Sequence, residues 1–502
     1  MELMQEVAPY LLAICALRAM AGIGRKRAET LFFSLICCWS AYESVIGMMQ
    51  VFGHRPSGHA LFAMTGNFQN PGPYGGFIGI ATAMAICFLI RHKMLFSRIR
   101  PKRIFAYLPF FFAIVAAAAG LIVLPASMSR AGWLAFTVAV GVFLLRETGI
   151  PSFLRYRKTL IVIITAVMIL SSTGIFLMKK DSAIGRLHIW RMECRAIASH
   201  PLGSGLGRRM GAYAEAQEAF FRKKDRPGFV VRAAGCPEYA FNEFLGMGMD
   251  TGVPGMLAAI AITAWAIAVL MRERSVFGYG LIACTVFALF SYPLGIPKLA
   301  TLTLVPFAVT GCYDRHRKPI IKFTLLITAI LAIFVIASIP DMKAGGKAEK
   351  EWKKVNLLTD MLPSEEIADS LAPLEKRLSG NYRFLYDYGY ALFGAGRFRE
   401  SIGVLEKGAE ISSDPMFRNI IGRDLESLGD CKGAEKEYLR SHYMVPCRLY
   451  PLILLKEMYE KTGEAEKAAS TLEMIRKMYV NPRNLTMKNL AERAEMRKHD
   501  EK

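Results

Sequence analysis

Ten apolar segments of near membrane-spanning length constrain this chain more than any other feature of its sequence. They fall at 7–21, 30–51, 74–90, 104–124, 131–145, 159–178, 253–271, 276–292, 299–312 and 320–339. A helix needs about 20 apolar residues to cross a bilayer, and only helices or closed barrels satisfy their backbone polar groups in lipid. The sequence therefore predicts an all-α, polytopic membrane helix bundle of about ten spans.

The positive charges predict how this bundle is oriented. The chain is 53% hydrophobic, yet its formal net charge is +21. Basic clusters at 25–27, 91–103, 146–158, 272–274 and 315–318 are each two spans apart, so all five lie on one face. The positive-inside bias makes that face cytoplasmic. We expect the N-terminus and everything after residue 340 on the outward face, together with the loops 54–73, 125–130, 179–239 and 293–298.

The largest outward loop, 179–240, is the expected working part of the molecule. It carries many basic residues, among them Arg186, Arg191, Arg208 and Arg209. Arg186 and Trp190 are four residues apart and share one helical face. Because guanidinium groups match phosphate oxygens bidentately, the loop could cradle a pyrophosphate. The alternative is a solvated basic helix that touches anionic lipid.

Two shorter outward segments are also unusual. Residues 66–72 include Asn67, Asn70 and three glycines or prolines, which predicts a turn with exposed backbone donors. The alternative is a plain turn before a helix. Residues 127–133 place Arg130 at the outer start of a span, where an arginine is costly unless it meets an anion or water. The alternative is an arginine that snorkels to the interface beside Trp133.

The chain after residue 340 has a charged, soluble composition and an internal repeat. Three predicted helical hairpins follow one another at a period of about 34 residues, typical of tetratricopeptide repeats. Their equivalent positions are Gly389, Gly422 and Lys456, then Ser401, Ala434 and Ala468, then Leu405, Tyr438 and Leu472. We predict a membrane domain at 1–340 and a repeat-like tail at 341–502. Such a tail binds a protein partner or caps the membrane domain.

The cysteines do not predict a metal site. Cys194 and Cys236 share the large loop and could form a disulfide in an oxidising compartment. Cys431 and Cys447 flank a predicted helix and would be roughly 24 Å apart, too far to bridge. No cysteine or histidine spacing resembles a zinc site. We expect neither a metal nor another cofactor.

The outward segments resemble, in order and spacing, the O-antigen ligase and O-antigen polymerase superfamily, which includes bacterial O-oligosaccharyltransferases. The turn 66–71 is similar to the family's Gly-Asn-Pro turn, and 129–133 to its Ser-Arg-small-small-Trp start of a middle span. Arg186 to Trp190 is similar to its Arg-x-x-x-Trp segment, and 201–205 to the glycine turn that follows. Residues 241–245 and 252–255 correspond to its His-Asn-x-x-Leu and Gly-x-Pro-Gly motifs.

The resemblance implies a lipid-linked glycan transferase of the bacterial inner membrane. Members transfer a glycan from undecaprenyl pyrophosphate to an acceptor hydroxyl on the periplasmic side, without a metal. The two family arginines match Arg130 and Arg186, which would bind the pyrophosphate and stabilise the leaving group. The polyprenyl chain would lie along the apolar spans among the membrane lipids. The expected substrate-binding residues besides the two arginines are Trp190, Arg191, Asn242, Asn67 and Asn70.

One departure concerns the base that activates the acceptor. The family has a histidine where this chain has Phe241, which accepts no proton. A general base must reach the acceptor hydroxyl within hydrogen-bond distance, which makes Glu238 the first candidate. Glu243 and His188 are the alternatives. Glu238 could instead cap a helix or pair with a loop arginine.

Several functions fit the resemblance. The most common is ligase to a lipid A core; polymerase of repeat units and protein O-glycosylation are the alternatives, and the tail favours a protein partner or acceptor. A transporter predicts charges deep in several spans, and the apolar segments are almost free of them. A third class is a non-enzymatic scaffold that presents the tail. No nucleic-acid partner is expected.

Overall fold

The computed structural model describes residues 25–96, 107–147, 180–223, 226–311, 344–478 and 485–495. All regular elements in these ranges are helices. The first ten are α1 Arg25–Val51, α2 Pro71–Phe96, α3 Leu108–Ala126, α4 Arg130–Glu147, α5 Lys180–Ser199, α6 Arg209–Arg222, α7 Gly228–Ala233, α8 Glu243–Arg272, α9 Val276–Ala288 and α10 Pro297–Gly311. The predicted all-α class is confirmed for this part of the chain.

Among the described residues, four helices are long and apolar enough to cross a membrane, which supports a multi-pass membrane protein. Their apolar parts are Glu29–Val51, Pro71–His92, Leu108–Ala126 and Glu243–Arg272, and the apolar helices Val276–Ala288 and Pro297–Thr310 are shorter. Helix α4 is also apolar in its interior but carries charged residues at both ends. The predicted spans at 7–21, 159–178 and 320–339 lie outside the described residues, so the expected number of about ten stays a prediction.

Helices α2 and α4 approach each other backbone to backbone, and this sets the position of Arg130. A Cβ at Gly79 would lie 2.6 Å from the Gly132 carbonyl oxygen, and one at Gly132 would collide with the Gly75 carbonyl. Glycine at these positions lets two helices pack at close range. The Ser129 hydroxyl donates to the Gly72 carbonyl over 2.8 Å. The start of α4 is therefore held against the first turn of α2.

A kink in α8 interlocks with the glycine turn that follows α5. Gly252 has φ 76° inside α8, where Pro254 also interrupts the helical hydrogen bonds. The freed carbonyls of Met249 and Asp250 accept the backbone N–H groups of Ser204 and Gly205. A Cβ at Gly252 would collide with the backbone of 201–202. The two glycine-rich motifs thus form one structural joint.

Contacts between segments sort the bundle into two ends. At one end, here called the loop end, Ser129 contacts Gly72, and Lys298 donates to the Asn67 carbonyl over 3.2 Å. At the other, the basic end, Arg91 pairs with Glu147 at 3.1 Å, and Ser275 donates to Glu29 over 2.7 Å. The alternation of ends agrees with the predicted arrangement of loops. Inward and outward placement in the cell stays a prediction.

The described tail consists of consecutive helical hairpins. Its helices are α11 344–356, α12 Ser364–Leu371, α13 Glu375–Leu378, α14 Tyr382–Gly394, α15 Phe398–Ile411, α16 Met416–Ser427, α17 Cys431–Met444, α18 Tyr450–Thr462, α19 Ala465–Lys477 and α20 Leu485–Glu495. Small residues on one helix of a hairpin receive large ones from the other, because a Cβ at Gly389 would lie 2.5 Å from Leu405 and one at Gly422 2.4 Å from the Tyr438 ring. The hairpins agree with the predicted repeat, while its assignment to the tetratricopeptide class and the boundary near residue 340 stay predictions.

The tail packs directly on the large loop. Helix α6 lies against α15 and α17 of the tail. Arg208 pairs with Glu410 at 3.0 Å, and Arg440 pairs with Glu218 at 3.3 Å. The Gln217 side chain donates to the carbonyl of Met444 in the tail. These contacts give the loop and the tail a defined relative position.

Candidate functional site

Arg186 lies at the loop end against a cluster of aromatic rings. Its guanidinium carbon is 5.3 Å from the centre of the Phe241 ring, close enough for a cation–π contact. Phe241 meets Tyr292 edge to face at 5.3 Å, and Tyr292 stacks on Tyr239 with the ring centres 3.9 Å apart. We call Arg186, Tyr239, Phe241 and Tyr292, together with Arg130, the arginine site.

The structure brings Arg130 and Arg186 together although they come from different elements. Burial lowers the pKa of Arg186, and the neighbouring positive charge of Arg130 lowers it further, while Tyr292 acts in the opposite direction. Neither guanidinium forms an ion pair with a carboxylate of the described chain. Two partly buried cations within electrostatic range of each other, without a carboxylate partner in the described chain, suit an anion of more than one charge.

Tyr292 supplies a hydroxyl within electrostatic range of Arg186. Burial raises its pKa to about 12, the Tyr239 ring neighbour and Glu238 raise it as well, and Arg186 lowers it. The phenol is therefore protonated at neutral pH and offers an O–H donor. Tyr292 was not predictable from the sequence, since no local signal distinguishes it from any other tyrosine at the end of an apolar segment.

Trp190 lies one helical turn after Arg186 on α5. Its ring is 5.8 Å from Phe290, and its buried indole N–H has no hydrogen-bond partner among the described residues. A buried donor without a partner costs free energy unless a ligand or water accepts from it. Arg191 is exposed, and its charge acts on neighbouring His188. The binding roles of Trp190 and Arg191 stay predictions.

Phe241 and Asn242 shape the entry to α8. Phe241 has φ 54°, a left-handed conformation that costs free energy in a residue other than glycine. Asn242 is the N-cap of α8, and its side-chain oxygen accepts the backbone N–H groups of Phe244 and Leu245 at 3.0 and 3.1 Å. A substrate contact of Asn242 would therefore use its side-chain N–H₂ group.

Glu238 contacts the tail. Its Oε1 accepts from the Tyr382 hydroxyl at 2.9 Å and from Arg383 at 2.5 Å. Its charge also acts on Tyr292, so it lies at the rim of the arginine site. Glu238 thus pairs with an arginine of the tail, and not with a loop arginine as the alternative from the sequence had it. This pairing leaves the second carboxylate oxygen of Glu238 available to a substrate.

The other two candidate bases are occupied by structural contacts. Glu243 is buried and accepts the Leu294 backbone N–H at 2.6 Å. His188 is buried and lies 2.8 Å from the Gln217 side-chain oxygen. Burial lowers the pKa of His188, and the positive charge of Arg191 adds to this, while the Gln217 hydrogen bond opposes it. Both residues stabilise the region around the arginine site.

Asn67 and Asn70 lie in the turn between α1 and α2, and both are exposed. The Asn67 backbone N–H donates to Glu43 at 3.0 Å, and Asn70 accepts the Gly72 N–H at 2.9 Å. Glu43 is fully buried and pairs with Lys298 at 2.8 Å. This ion pair was not predicted from the sequence. A glutamate inside the apolar segment 30–51 was the signal that could have revealed it, because an ionisable residue in a span needs a partner.

Glu193 is a second buried carboxyl that the sequence analysis missed. It lies on α5, fully buried, and neither carboxyl oxygen has a hydrogen-bond partner in the described chain. Burial raises its pKa to about 9, and Arg209 opposes this. Glu193 is therefore protonated at neutral pH. Its sequence neighbourhood gave no signal, since a polar residue on a loop helix is normally exposed.

The cysteines of the large loop are free. Cys194 and Cys236 form no disulfide with each other, and Cys236 accepts a hydrogen bond from Arg448 at 3.0 Å. Within the described ranges, no group of three histidine, cysteine, aspartate or glutamate side chains is arranged to hold a metal ion. The expected absence of a cofactor is not tested by this observation.

Comparison with known proteins supports the resemblance for the middle of the chain. The sequence model of the O-antigen ligase family matches residues 115–260. This stretch contains Arg130, Arg186, Trp190 and Asn242 but neither the turn at 66–72 nor the tail. The match supports the O-antigen ligase superfamily and a glycan-transfer function at a membrane. No curated protein sequence matches the chain.

Proposed function

We propose that this protein is a membrane glycosyltransferase of the O-antigen ligase type. It transfers a glycan from undecaprenyl pyrophosphate to an acceptor hydroxyl on the periplasmic face of the inner membrane. The preferred acceptor is a lipid A core. The match to the O-antigen ligase family over 115–260 supports glycan transfer, and the charges of the arginine site support a pyrophosphate-linked donor.

One observation carries the proposal: the charge of Arg130 acts on Arg186, and neither side chain has a carboxylate partner in the described chain. A diphosphate brings two negative charges, which these guanidinium groups would neutralise through paired N–H donors. The protonated Tyr292 hydroxyl offers a further donor. Cations placed in advance cost little reorganisation when charge develops on a leaving group.

The proposed reaction is a single displacement at the anomeric carbon of the donor sugar. The acceptor oxygen attacks this carbon, and the bond between the carbon and the pyrophosphate oxygen breaks. The pyrophosphate leaves with the electron pair, and Arg130 and Arg186 stabilise its added charge. The proton of the acceptor hydroxyl passes to a general base.

Glu238 is the proposed base in place of the family histidine. Its position beside Tyr292 and its free oxygen support this role. The Phe241 ring, which occupies the histidine position, instead contacts the face of the Arg186 guanidinium. Phe241 therefore positions an arginine in this proposal and takes no part in proton transfer.

The polyprenyl chain of the donor would lie along apolar surface next to the site. A cavity of about 340 Å³ lies between α8, α9 and α10, with Glu243 and Leu294 near the loop end and Ile262 and Phe307 further along. Its lining is almost entirely apolar, which suits an isoprenoid chain. The exposed side chains of α8, including Leu257 and Trp265, continue this surface.

The arginines provide the direct test. A deletion strain is complemented with the wild-type gene or with an Arg130→Ala/Arg186→Ala double variant, and membrane insertion is checked by immunoblot. We expect the double variant to insert and to restore no surface glycan. Normal surface polysaccharide in that strain would refute the proposal and favour a scaffold function.

The acceptor is identified by gels of lipopolysaccharide and glycoproteins from the deletion strain. Loss of all capped lipopolysaccharide chains is expected for a ligase. Caps of a single repeat unit would indicate a polymerase instead. Altered glycoproteins with normal lipopolysaccharide would indicate a protein O-oligosaccharyltransferase, the alternative that the tail favours.

A further inference from the structure

We propose that one face of α14 in the tail is a saccharide-binding surface that continues from the arginine site. This inference rests on the proposed function, because the saccharide is the glycan of the donor. We call the surface the tyrosine face and define it by Tyr382, Tyr386, Tyr390 and Phe393.

The spacing of these residues places their rings along one side of the helix. Tyr382, Tyr386 and Tyr390 are four residues apart and so share a face that extends about 12 Å along the axis. The rings of Tyr386 and Tyr390 are nearly parallel, with an angle of 9° and centres 6.2 Å apart. Phe393 extends the row, with its ring centre 6.2 Å from that of Tyr390.

The hydrophobic core of the tail accounts for three members of this row, which pack partly buried against it, but it does not account for Tyr390. Core packing on α14 uses Phe384, Leu385 and Leu392, which are fully buried. Tyr390 instead exposes 48% of its surface. Tyr386 is half-buried, and its ring meets Phe417 of the next hairpin edge to face at 5.4 Å. Packing therefore fixes the orientation of one ring and leaves the adjacent ring open to a ligand.

The polar groups along this surface suit a sugar. The Tyr386 and Tyr390 hydroxyls form no hydrogen bond within the described residues, so they are available to a ligand. Arg423 lies over the Phe393 ring with its guanidinium carbon 4.4 Å from the centre, and adds several donors. A pyranose presents C–H groups on its ring faces and hydroxyls around its edge. Flat aromatic rings with polar groups beside them match both features.

The position of the tyrosine face points to the glycan rather than to an unrelated ligand. Its first member, Tyr382, donates to Glu238, and the charge of Glu238 acts on Tyr292 in the arginine site. Ion pairs of Arg208 and Glu218 in the large loop with residues of the tail hold the two parts in a fixed relative position. Sugar units that extend beyond the reacting residue would thus meet Tyr382 first and Tyr390 later.

The test uses the full-length protein in lipid nanodiscs and a saccharide without pyrophosphate. Polyprenyl-linked glycan from the source bacterium is cleaved by mild acid, and the released saccharide is sorted by length and titrated by calorimetry. We expect Tyr390→Ala to weaken binding of the long saccharide about tenfold, since it removes one exposed stacking surface. Tyr390→Phe keeps the ring and should bind nearly as the wild type does.

A matched control is Met474→Ala, which changes another exposed apolar side chain of the tail, 42% exposed on α19. It should leave binding unchanged, and the melting temperature of each variant shows that the tail is folded. Equal affinity of Tyr390→Ala and wild type, or no binding by wild type, would overturn the proposal. Release of a co-purifying protein by Tyr390→Ala, without competition by the saccharide, would also overturn it.

Transfer assays separate this inference from the proposed function. With donors of one repeat unit, Tyr390→Ala should keep the wild-type KM and kcat; with long donors its KM should rise while kcat is retained. Full activity of the Arg130→Ala/Arg186→Ala variant would refute the proposed pyrophosphate site. An unchanged KM of Tyr390→Ala for long donors, alongside an inactive arginine double variant, would refute the tyrosine face alone.

Discussion

Arg186 and Arg208 belong to the same basic loop but lie in opposite electrostatic surroundings. Arg208 pairs with Glu410 of the tail at 3.0 Å, and both side chains are more than half exposed. Arg186 lies partly buried over Phe241, next to the positive charge of Arg130 and without a carboxylate partner in the described chain. The charge of Arg208 is neutralised by a carboxylate of the tail, which joins two parts of the protein. The charges of Arg130 and Arg186 are not neutralised within the described chain, which favours the binding of an anion.

The largest expected effect tests this contrast directly. Arg186→Ala should lower the rate of glycan transfer at least about 100-fold, because it removes a cation that stabilises the leaving group. Arg186→Lys keeps the positive charge but loses the bidentate guanidinium group. Its transfer rate should lie between those of the wild type and Arg186→Ala. The rate is measured with purified protein and extracted lipid-linked donor.

Arg208→Ala is the matched control for this change. Exposed ion pairs contribute at most about 1 kcal/mol, so we expect transfer within a few-fold of wild type. A similar loss for Arg208→Ala and Arg186→Ala would show that the charge of the whole loop matters, and the contrast between the two arginines would fail.

The second prediction concerns the joint that holds the loop against α8. Gly252→Ala should destabilise the protein by about 1–3 kcal/mol or more, because the residue has φ 76° and its Cβ would collide with the backbone of 201–202. Gly235→Ala in the neighbouring large loop is the control, since a Cβ there meets no atom within 4 Å. Melting temperatures in detergent compare the two, and an equal stability would contradict the role of the joint.

The third prediction concerns the contact between the large loop and the tail. Gln217 is buried and bonds to His188, Tyr213, Gly235 and Met444 at once. Gln217→Leu leaves several buried groups without partners and should cost about 1–3 kcal/mol. We expect faster amide hydrogen exchange in α17, with a smaller loss of transfer than for Arg186→Ala.

The control for this change lies on the same helix. Glu215 has a side chain that is 65% exposed, so Glu215→Gln should leave the exchange of α17 unchanged. If amide hydrogen exchange in α17 were as slow in Gln217→Leu as in the wild type, the packing of the tail on the large loop would not depend on this contact.

The final prediction is a pH dependence of stability. Burial raises the pKa of Glu193 from 4.5 to about 9, so the folded protein keeps a proton that the unfolded chain loses. Stability contributed by this group is thus present below about pH 4.5 and is lost progressively up to about pH 9. In Glu193→Gln the melting temperature should fall less steeply with rising pH over this range. The difference in melting temperature from the wild type should be largest near pH 9. Parallel curves for wild type and variant would contradict a buried, protonated Glu193.

Features with a local cause were predictable from the sequence. Apolar segments of sufficient length predicted the helices of the bundle, and alternating basic loops predicted its two ends, because hydrophobic length and charge act without knowledge of the neighbours. The small residues Gly389 and Gly422 recur at the repeat period of the tail, and this spacing predicted the helical hairpins. Arg130 and Arg186 were recognisable as a candidate pair only through the order of motifs around them.

Features that depend on distant partners were not predictable. Glu43 and Lys298 are 255 residues apart, and the joint between 201–205 and Gly252 depends on a kink that brings two backbones together. From the sequence, Phe241 was recognisable only as a residue that replaces the family histidine and cannot act as a base. The structure shows that its ring contacts Arg186. A contact of this kind follows from the path of the chain and has no local signal.

The sequence by itself determined which structural elements this protein contains: apolar helices, a basic loop and a tail of helical hairpins. Only the tertiary structure decided which charges are neutralised within the chain and which are not. Glu238 meets Arg383 across 145 residues of sequence and Glu218 meets Arg440 across 222, while Arg186 meets Arg130 and an aromatic ring. Coulomb energy depends on distance in space and on burial, and composition and spacing fix neither.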